Sequence, residues 1–372
     1  MKFTFDHDAL IKELSIAQEI ISTKSPGTIL SHILLTAENN TLTIRATDLK
    51  VNFETQIPVQ VETEGSTTIY CEKFINILTT LGPGEIEFRQ DTSDGEGQSI
   101  KVNIRPIARK AKFEMNSISN DKFPDFAITA DNQYFDVPSK DLKEMIKQTV
   151  FAVSNDETRF FMNGVYFDKK EDNLNLVATN GRRLSFASKK VLAGLNDIPS
   201  AIVPPKILNI ISKHAPMEGN VSIAILDKMI FFKFGNYKFG SVLLEGTFPN
   251  YERVIPASQS YSFQVQKSDL VSALKSVATM VDKKEGRLYL NVQPGILRIT
   301  SEQSDMGNAD EEIPCEYAGK PIVIAFNYLY IDEPLRVIDT ERITFEFTEA
   351  LKAVTMRAEP AADYFHIIMP MM

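Results

Sequence analysis

FTFDHDALIKEL (3–14) decides how this chain is read. Phe3 and Phe5 stand two apart, the spacing that puts side chains on one face of a strand. Leu10 and Leu14 stand four apart, the spacing that puts them on one face of a helix. This change of period predicts a short strand running straight into an amphipathic helix. The same change recurs in FDVPSKDLKEMI (135–146) and FQVQKSDLVSAL (263–274). With Leu10, Leu142 and Leu270 aligned, the strand positions hold Phe3, Phe135 and Phe263, then Phe5, Val137 and Val265. The helix position four residues on holds Leu14, Ile146 and Leu274. The aligned leucines lie 132 and 128 residues apart, one domain length and far more than a solenoid repeat. Three similar domains are expected, at 1–130, 131–257 and 258–372.

A second helix is expected in each copy. KFINILTTL (73–81) and KILNIISKH (206–214) are apolar at helical spacing, and each lies between strand-like runs. The third candidate, within IVIAFNYLYIDEPLRVI (322–338), is looser, and Pro334 should kink or end it. LTIRATDLKVNFETQIPV (42–59), LNLVATNGRRLSFASKKV (174–191) and LRITSEQSDMGNADEEIP (297–314) fill one slot in the three copies with alternating strand patterns. Each copy thus holds two helices and about eight strands, an α+β unit with two helices on two small antiparallel sheets. The Gly-rich run DTSDGEGQS (91–99) lacks the ligand spacing of a calcium loop and reads as a hairpin tip.

The chain has 372 residues, 43% apolar and 24% charged, with net charge −9. That charge argues against a generic basic nucleic-acid binder, although charge can be segregated by face. Cys71 and Cys315 are far apart with no CxxC spacing, so a reducing compartment, the cytoplasm, is expected. No stretch approaches the about 18 apolar residues of a membrane span. The four histidines show no metal-pair spacing, and no P-loop, dinucleotide fingerprint or nucleophile elbow is present. No catalytic residue, metal or cofactor is expected. The helices carry polar stripes: Lys140, Lys143 and Lys147; Lys206, Asn209 and Lys213; Lys73, Asn76 and Thr80; Ser272, Lys275 and Thr279. Any one is an ordinary wet face. Together, in an acidic protein, they fit a surface that faces phosphates without reading bases.

The MKFT start, RFFMNG (159–164), ATNGRRL (178–184), FPNYERVIP (248–256) and the terminal MPM occur in order along the repeat. In these motifs the chain resembles the bacterial DNA polymerase III β subunit, the sliding clamp family, over its whole length. The resemblance implies a head-to-tail homodimeric ring whose inner helices surround double-stranded DNA without sequence preference. It implies a non-catalytic factor that tethers the replicative polymerase and meets the clamp loader, other DNA polymerases, DNA ligase and mismatch-repair proteins through short linear motifs. Two rivals are a repeat-built scaffold that never encircles DNA and an enzyme with a site between domains.

The resemblance also implies site residues. A partner-peptide pocket falls on Met162, Thr179, Gly181, Arg182, Arg183, Leu184, Pro249, Arg253, Val254, Ile367, Met369, Pro370 and Met371, with Arg183 and Arg253 free to hold carbonyls or acids at its rim. Taken alone, NGRR is a turn between strands with exposed arginines. DNA contacts fall on Lys24 and on Phe160 and Phe161, beside Lys140, Lys143, Lys147, Lys206 and Lys213 from the helix stripes. The family often has tyrosines at the aromatic pair; phenylalanines keep the stacking surface and lose the hydroxyl, and one ring could serve the core instead. The ring interface falls on Phe113 and Met115 against the region of Met280, with Lys110 and Lys112 near one patch and Glu302 and Asp305 near the other. Arg182 replaces a common histidine, and HIIMPMM (366–372) stops short of a basic and an apolar residue that relatives often add. Pocket preference is expected to differ accordingly.

Overall fold

All three strand-to-helix segments form. Lys2–Asp6 runs into α1 (His7–Ile20), Phe135–Pro138 into α3 (Ser139–Thr149) and Tyr261–Gln266 into α5 (Lys267–Val277). The aligned phenylalanines, valines and leucines are all buried. Asp6 caps α1 by accepting the Ala9 N–H at 3.0 Å. The second helices are α2 (Cys71–Leu81), α4 (Pro205–His214) and α6 (Leu329–Leu335). Pro205 opens α4, where its missing N–H costs nothing. Pro334 lies one residue before the end of α6, which is why that helix is the shortest of the six. This computed structural model describes residues 1–21, 27–91, 100–128, 134–191, 198–282, 284–305 and 307–372. Most of the 91–99 loop lies outside the described residues.

The chain forms two compact units. The first is Met1–Asp136 with Asn220–Val242. Its five-stranded antiparallel sheet has the order Gln60–Thr63, Lys2–Asp6, Glu85–Asp91, Ile100–Pro106, Phe113–Ser117. Phe3 stacks on Phe88 at 4.8 Å beneath α1 and α2. The second sheet of this unit runs Asn220–Leu226, Met229–Phe234, Tyr237–Val242, Val51–Pro58, Thr41–Thr47, His32–Glu38, Gly65–Tyr70.

The second unit is Val137–Gly219 with Leu243–Met372. One sheet has the order Ala201–Val203, Val165–Lys170, Asn173–Thr179, Arg183–Lys190, Tyr364–Ile368, Val354–Glu359, Arg342–Phe347, Tyr261–Gln266. The other runs Asp310–Pro314, Ile296–Ser301, Arg287–Gln293, Ile322–Asn327.

These orders contain a rule. In the first copy the third strand of the meander, Val51–Pro58, pairs with Tyr237–Val242, the last strand of the second copy. In the second copy the third strand, Arg183–Lys190, pairs with Tyr364–Ile368, the last strand of the third copy. The corresponding strand of the third copy is Asp310–Pro314, and it forms a sheet edge. The last strand of the first copy, Phe113–Ser117, forms another. The rule is used twice within the chain, and one strand of each kind is left over.

Backbones approach closely in this architecture. A Cβ on Gly164, in the RFFMNG segment, would stand 2.7 Å from the Val203 carbonyl oxygen and 2.8 Å from the Ile202 side chain. The carbonyl belongs to a strand and cannot yield cheaply. Gly164→Ala is expected to destabilise the protein by about 2 kcal/mol, read as a lower midpoint in denaturant unfolding.

Candidate partner groove and edge strands

The second unit holds a small cavity of about 110 Å³. Its floor is buried and apolar: Met162, Leu184, Tyr251 and Ile367, with Thr179 beside them. Gly181, Arg183 and Pro249 complete the wall. Val254 and Met369 stand at the mouth, 44% and 38% exposed. Beneath lie Val177, Ile202 and Phe248, with the half-buried Phe161 and Phe186 packed against them.

One turn builds the wall. The Thr179 hydroxyl accepts the Gly181 N–H at 3.1 Å, and the Asn180 side-chain oxygen accepts the N–H groups of Arg182 and Arg183 at 3.0 and 3.1 Å. Gly181 takes φ +83°, in the region that favours glycine. The Arg182 carbonyl then accepts the Met369 N–H at 2.9 Å and seats the tail against the turn. Met371 is drawn elsewhere, its N–H donating to the Ala325 carbonyl at 2.8 Å.

The same turn occurs in the first copy. Leu49 N–H donates to Thr47, Lys50 and Val51 N–H donate to Asp48, and Val242 N–H donates to the Lys50 carbonyl. Leu49 holds φ +72° where the second copy has Gly181. Counting from these turns, Asn52 and Gly240 correspond to Leu184 and Ile367. There the chain covers the pair itself. Asn52 Nδ2 donates to the Ala127 carbonyl at 3.3 Å, and a Cβ on Gly240 would meet that oxygen at 3.2 Å.

Of the expected pocket residues, Met162, Thr179, Gly181, Arg183, Leu184, Pro249, Val254, Ile367 and Met369 meet around the cavity. Arg182, Arg253, Pro370 and Met371 do not line it; Arg182 and Arg253 are exposed, and Pro370 and Met371 half-buried. Arg183 corrects two expectations. It is neither an exposed turn arginine nor free at a rim, being only 9% exposed. Its guanidinium ion-pairs with Glu333, donates to the Phe151 carbonyl at 2.6 Å, and lies 4.8 Å from the Tyr330 ring centre and 5.4 Å from that of Phe151. It holds a carbonyl and an acid, but both are the chain's own. Tyr251 was missed. It sits in the FPNYERVIP segment, and its hydroxyl donates to the buried Asp168 carboxylate at 2.8 Å. An aromatic residue with a polar tip just before a domain boundary was the available signal.

Behind Leu184 and Ile367, Ser185 pairs with His366 across the strands, Oγ to Nδ1 at 2.9 Å. Burial, reinforced by the charge of Arg183, lowers the His366 pKa to about 3. Between that value and the ordinary histidine range the unfolded chain binds a proton that the folded chain excludes. Stability should therefore fall as pH drops from about 6.5 toward 3, by up to about 1.4 kcal/mol per pH unit from this group. Denaturant midpoints measured across that window should show the slope, and His366→Phe should reduce it.

Family models cover almost the whole chain: DNA polymerase III beta subunit, N-terminal domain over 1–127, central domain over 136–250 and C-terminal domain over 252–372. The chain belongs to the DNA polymerase III beta subunit family. The beta sliding clamp of Treponema pallidum is 44% identical over 375 residues, spanning 100% of this chain and 99% of that protein. A crystal structure of the Pseudomonas aeruginosa DnaN sliding clamp bound to griselimycin superposes with TM-score 0.93 at 25% identity, over 100% of this chain and 99% of that one. The Bartonella birtlesii DnaN clamp bound to griselimycin gives 0.92 at 26% identity over the full length of both chains. The protein is a DNA sliding clamp, a non-catalytic processivity factor of DNA replication with three α+β clamp domains.

The clamp's helix stripes are not equivalent. Lys140 and Lys147 are exposed, Lys140 lying 3.9 Å from Glu144. Lys143 donates to the Ala215 carbonyl at the end of α4, 2.8 Å away, where a cation offsets the helix dipole. Lys206 is half-buried and Lys213 exposed on α4. Lys73, Asn76 and Thr80 instead line a cavity of about 1340 Å³ in the first unit, together with Ile77, Phe113 and Met115. That stripe faces the edge strand Phe113–Ser117. Phe160 is 48% exposed, whereas Phe161 packs into the groove's supporting core. Lys24 lies outside the described residues. Met280 is half-buried after α5. Among the described residues no group of His, Cys, Asp or Glu could hold a metal, and no helix is long and apolar enough to cross a membrane.

Proposed function

We propose that two copies of this clamp close head to tail by the strand rule of the fold, the edge Asp310–Pro314 of each chain pairing with Phe113–Ser117 of the other. The observation that carries this reading is the pair of left-over edges, one of each kind that joins copies within the chain. A heterologous pairing of this type closes into a ring when its rotation permits. The chemistry supports it. Phe113 and Met115, with Ile77, give the large cavity an apolar stretch that a partner would cover. Lys110 and Lys112 flank the first edge, and Asp310, Glu311 and Glu312 occupy the second, with Glu302 and Asp305 just before it. Opposite charges at the two edges favour this orientation over like-with-like pairing. Sedimentation equilibrium of the intact chain should give twice 41.8 kDa at micromolar concentration. A mass of 41.8 kDa throughout would remove the edge-pairing account.

Within that ring the exposed lysines of α3 and α4, with Lys24 and Phe160, meet duplex DNA without reading sequence. Weak phosphate contacts suit sliding, since base-specific ones would hold the ring at particular sites. The groove takes short apolar motifs from the replicative polymerase, the clamp loader, other polymerases, DNA ligase and mismatch-repair proteins. Its buried Met and Leu floor accommodates varied apolar side chains. The domain limits 1–130, 131–257 and 258–372 and a cytoplasmic location belong to the same reading.

A further inference from the structure

We propose that Glu333, acting through Arg183, is a positioning residue for the groove: it holds the Thr179–Arg183 turn from behind and so sets the affinity for a docked peptide. This rests on the reading of the cavity as a partner groove. Glu333 does not line the cavity. Among the described residues it reaches the turn through the guanidinium of Arg183, which it shares with the Phe151 carbonyl and the faces of Phe151 and Tyr330. Asn180, which caps the turn, also reaches helix α6 through Nδ2 to the Tyr330 hydroxyl at 3.4 Å. One short helix of the third copy therefore grips a turn of the second at two residues.

The chain supplies its own control. Counting from the matched turns, Arg183 corresponds to Val51, and the Ser185–His366 pair corresponds to Phe53–Phe239. The first junction thus does the same joining with an aromatic pair at 5.0 Å and a valine, all buried. That junction has its own ion pair, the buried Glu54 with Lys238 across the strands, but farther from the turn. At the matched positions apolar groups suffice, and replacing buried ion pairs by apolar groups is often neutral or stabilising. At the second junction the matched positions hold Arg183, Ser185 and His366, directly behind the cavity. Arg183 Nε and His366 Nε2 also lack a partner among the described residues, a cost that the apolar version avoids. The polar version gives direction. An ion pair and a hydrogen-bonded pair fix the strand register, and with it Leu184, Ile367 and the Arg182 carbonyl that seats Met369. Without the carboxylate, the guanidinium is left near-buried beside a lone carbonyl, and the turn is free to follow it.

The test uses the intact protein and a fluorescein-labelled peptide carrying the clamp-binding segment of the replicative polymerase. Glu333→Gln keeps the shape and an acceptor but not the charge. It should weaken peptide binding by about tenfold, with the dimer mass unchanged and any fall in melting temperature too small to account for the loss. Glu333→Asp keeps the charge and should recover part of the loss. Met369→Asp, at the mouth of the cavity, tests the groove itself. If Met369→Asp abolishes binding while Glu333→Gln and Glu333→Asp bind as the unaltered protein does, the positioning role is wrong and the groove stands. If Met369→Asp binds normally, the groove reading falls and the proposal with it. A fall in Glu333→Gln affinity that only tracks a lower melting temperature, with no recovery in Glu333→Asp, assigns the pair to stability and also overturns the proposal.

Discussion

Phe113→Asp should turn the dimer into a monomer at micromolar concentration. Phe113 is half-buried on an edge strand, so the domain has little reason to unfold when it changes. The large cavity beside it is lined by Ile77 and Met115 as well, and in the proposed pairing all three are covered by the other chain. A buried aromatic at the centre of an interface is the kind of residue whose loss costs about 2–4 kcal/mol, or a roughly 30- to 1000-fold weaker dimer. A carboxylate adds repulsion, because the incoming strand carries Asp310, Glu311 and Glu312. Lys110 and Lys112 cannot compensate while the new charge is desolvated between strands. Sedimentation velocity distinguishes the outcomes: a slower, lighter species is expected, and an unchanged dimer would place the interface elsewhere.

Met369→Asp is expected to abolish peptide capture and spare the ring. Met369 is well exposed at the groove mouth, and the bond that seats it uses its backbone N–H, so the tail keeps its place. Only the apolar lip is lost. A charge facing an apolar guest should weaken binding by about 2 kcal/mol or more, near 30-fold. Fluorescence anisotropy with the labelled polymerase peptide measures this directly. The dimer mass in sedimentation should match the unaltered protein, because nothing at the edges has changed. Normal peptide binding would remove the groove reading.

The fold was legible because it rests on local periods. A change from two to about 3.6 within FTFDHDALIKEL, repeated twice, names the strand, the helix and the number of copies. Pro334 likewise announced the short α6. The groove was less legible from the residues, because its parts come from far along the chain. NGRR looks the same whether its second arginine faces water or the interior. Its partner Glu333 lies 150 residues on, at a position with no local mark. The stripe of Lys73, Asn76 and Thr80 looked like its counterparts because helical spacing shows only which face is polar. Which surface that face meets depends on the neighbouring edge strand. Tyr251 escaped because an aromatic beside a boundary reads equally as core. Comparison of the two turns was decisive in a way the sequence was not. Leu49 and Gly181 both take positive φ, yet the second turn stands before a cavity whereas the Ala127 carbonyl lies over the strand pair beside the first.

Retention on DNA tests the central claim most directly. The intact protein, loaded onto nicked circular duplex by a clamp loader, should stay bound through a high-salt wash that strips ordinary phosphate contacts, because a closed ring is held by topology. Cutting the same DNA once should release it promptly from the ends. Equal loss from circular and linear DNA would contradict the account, whatever the protein's affinity for either.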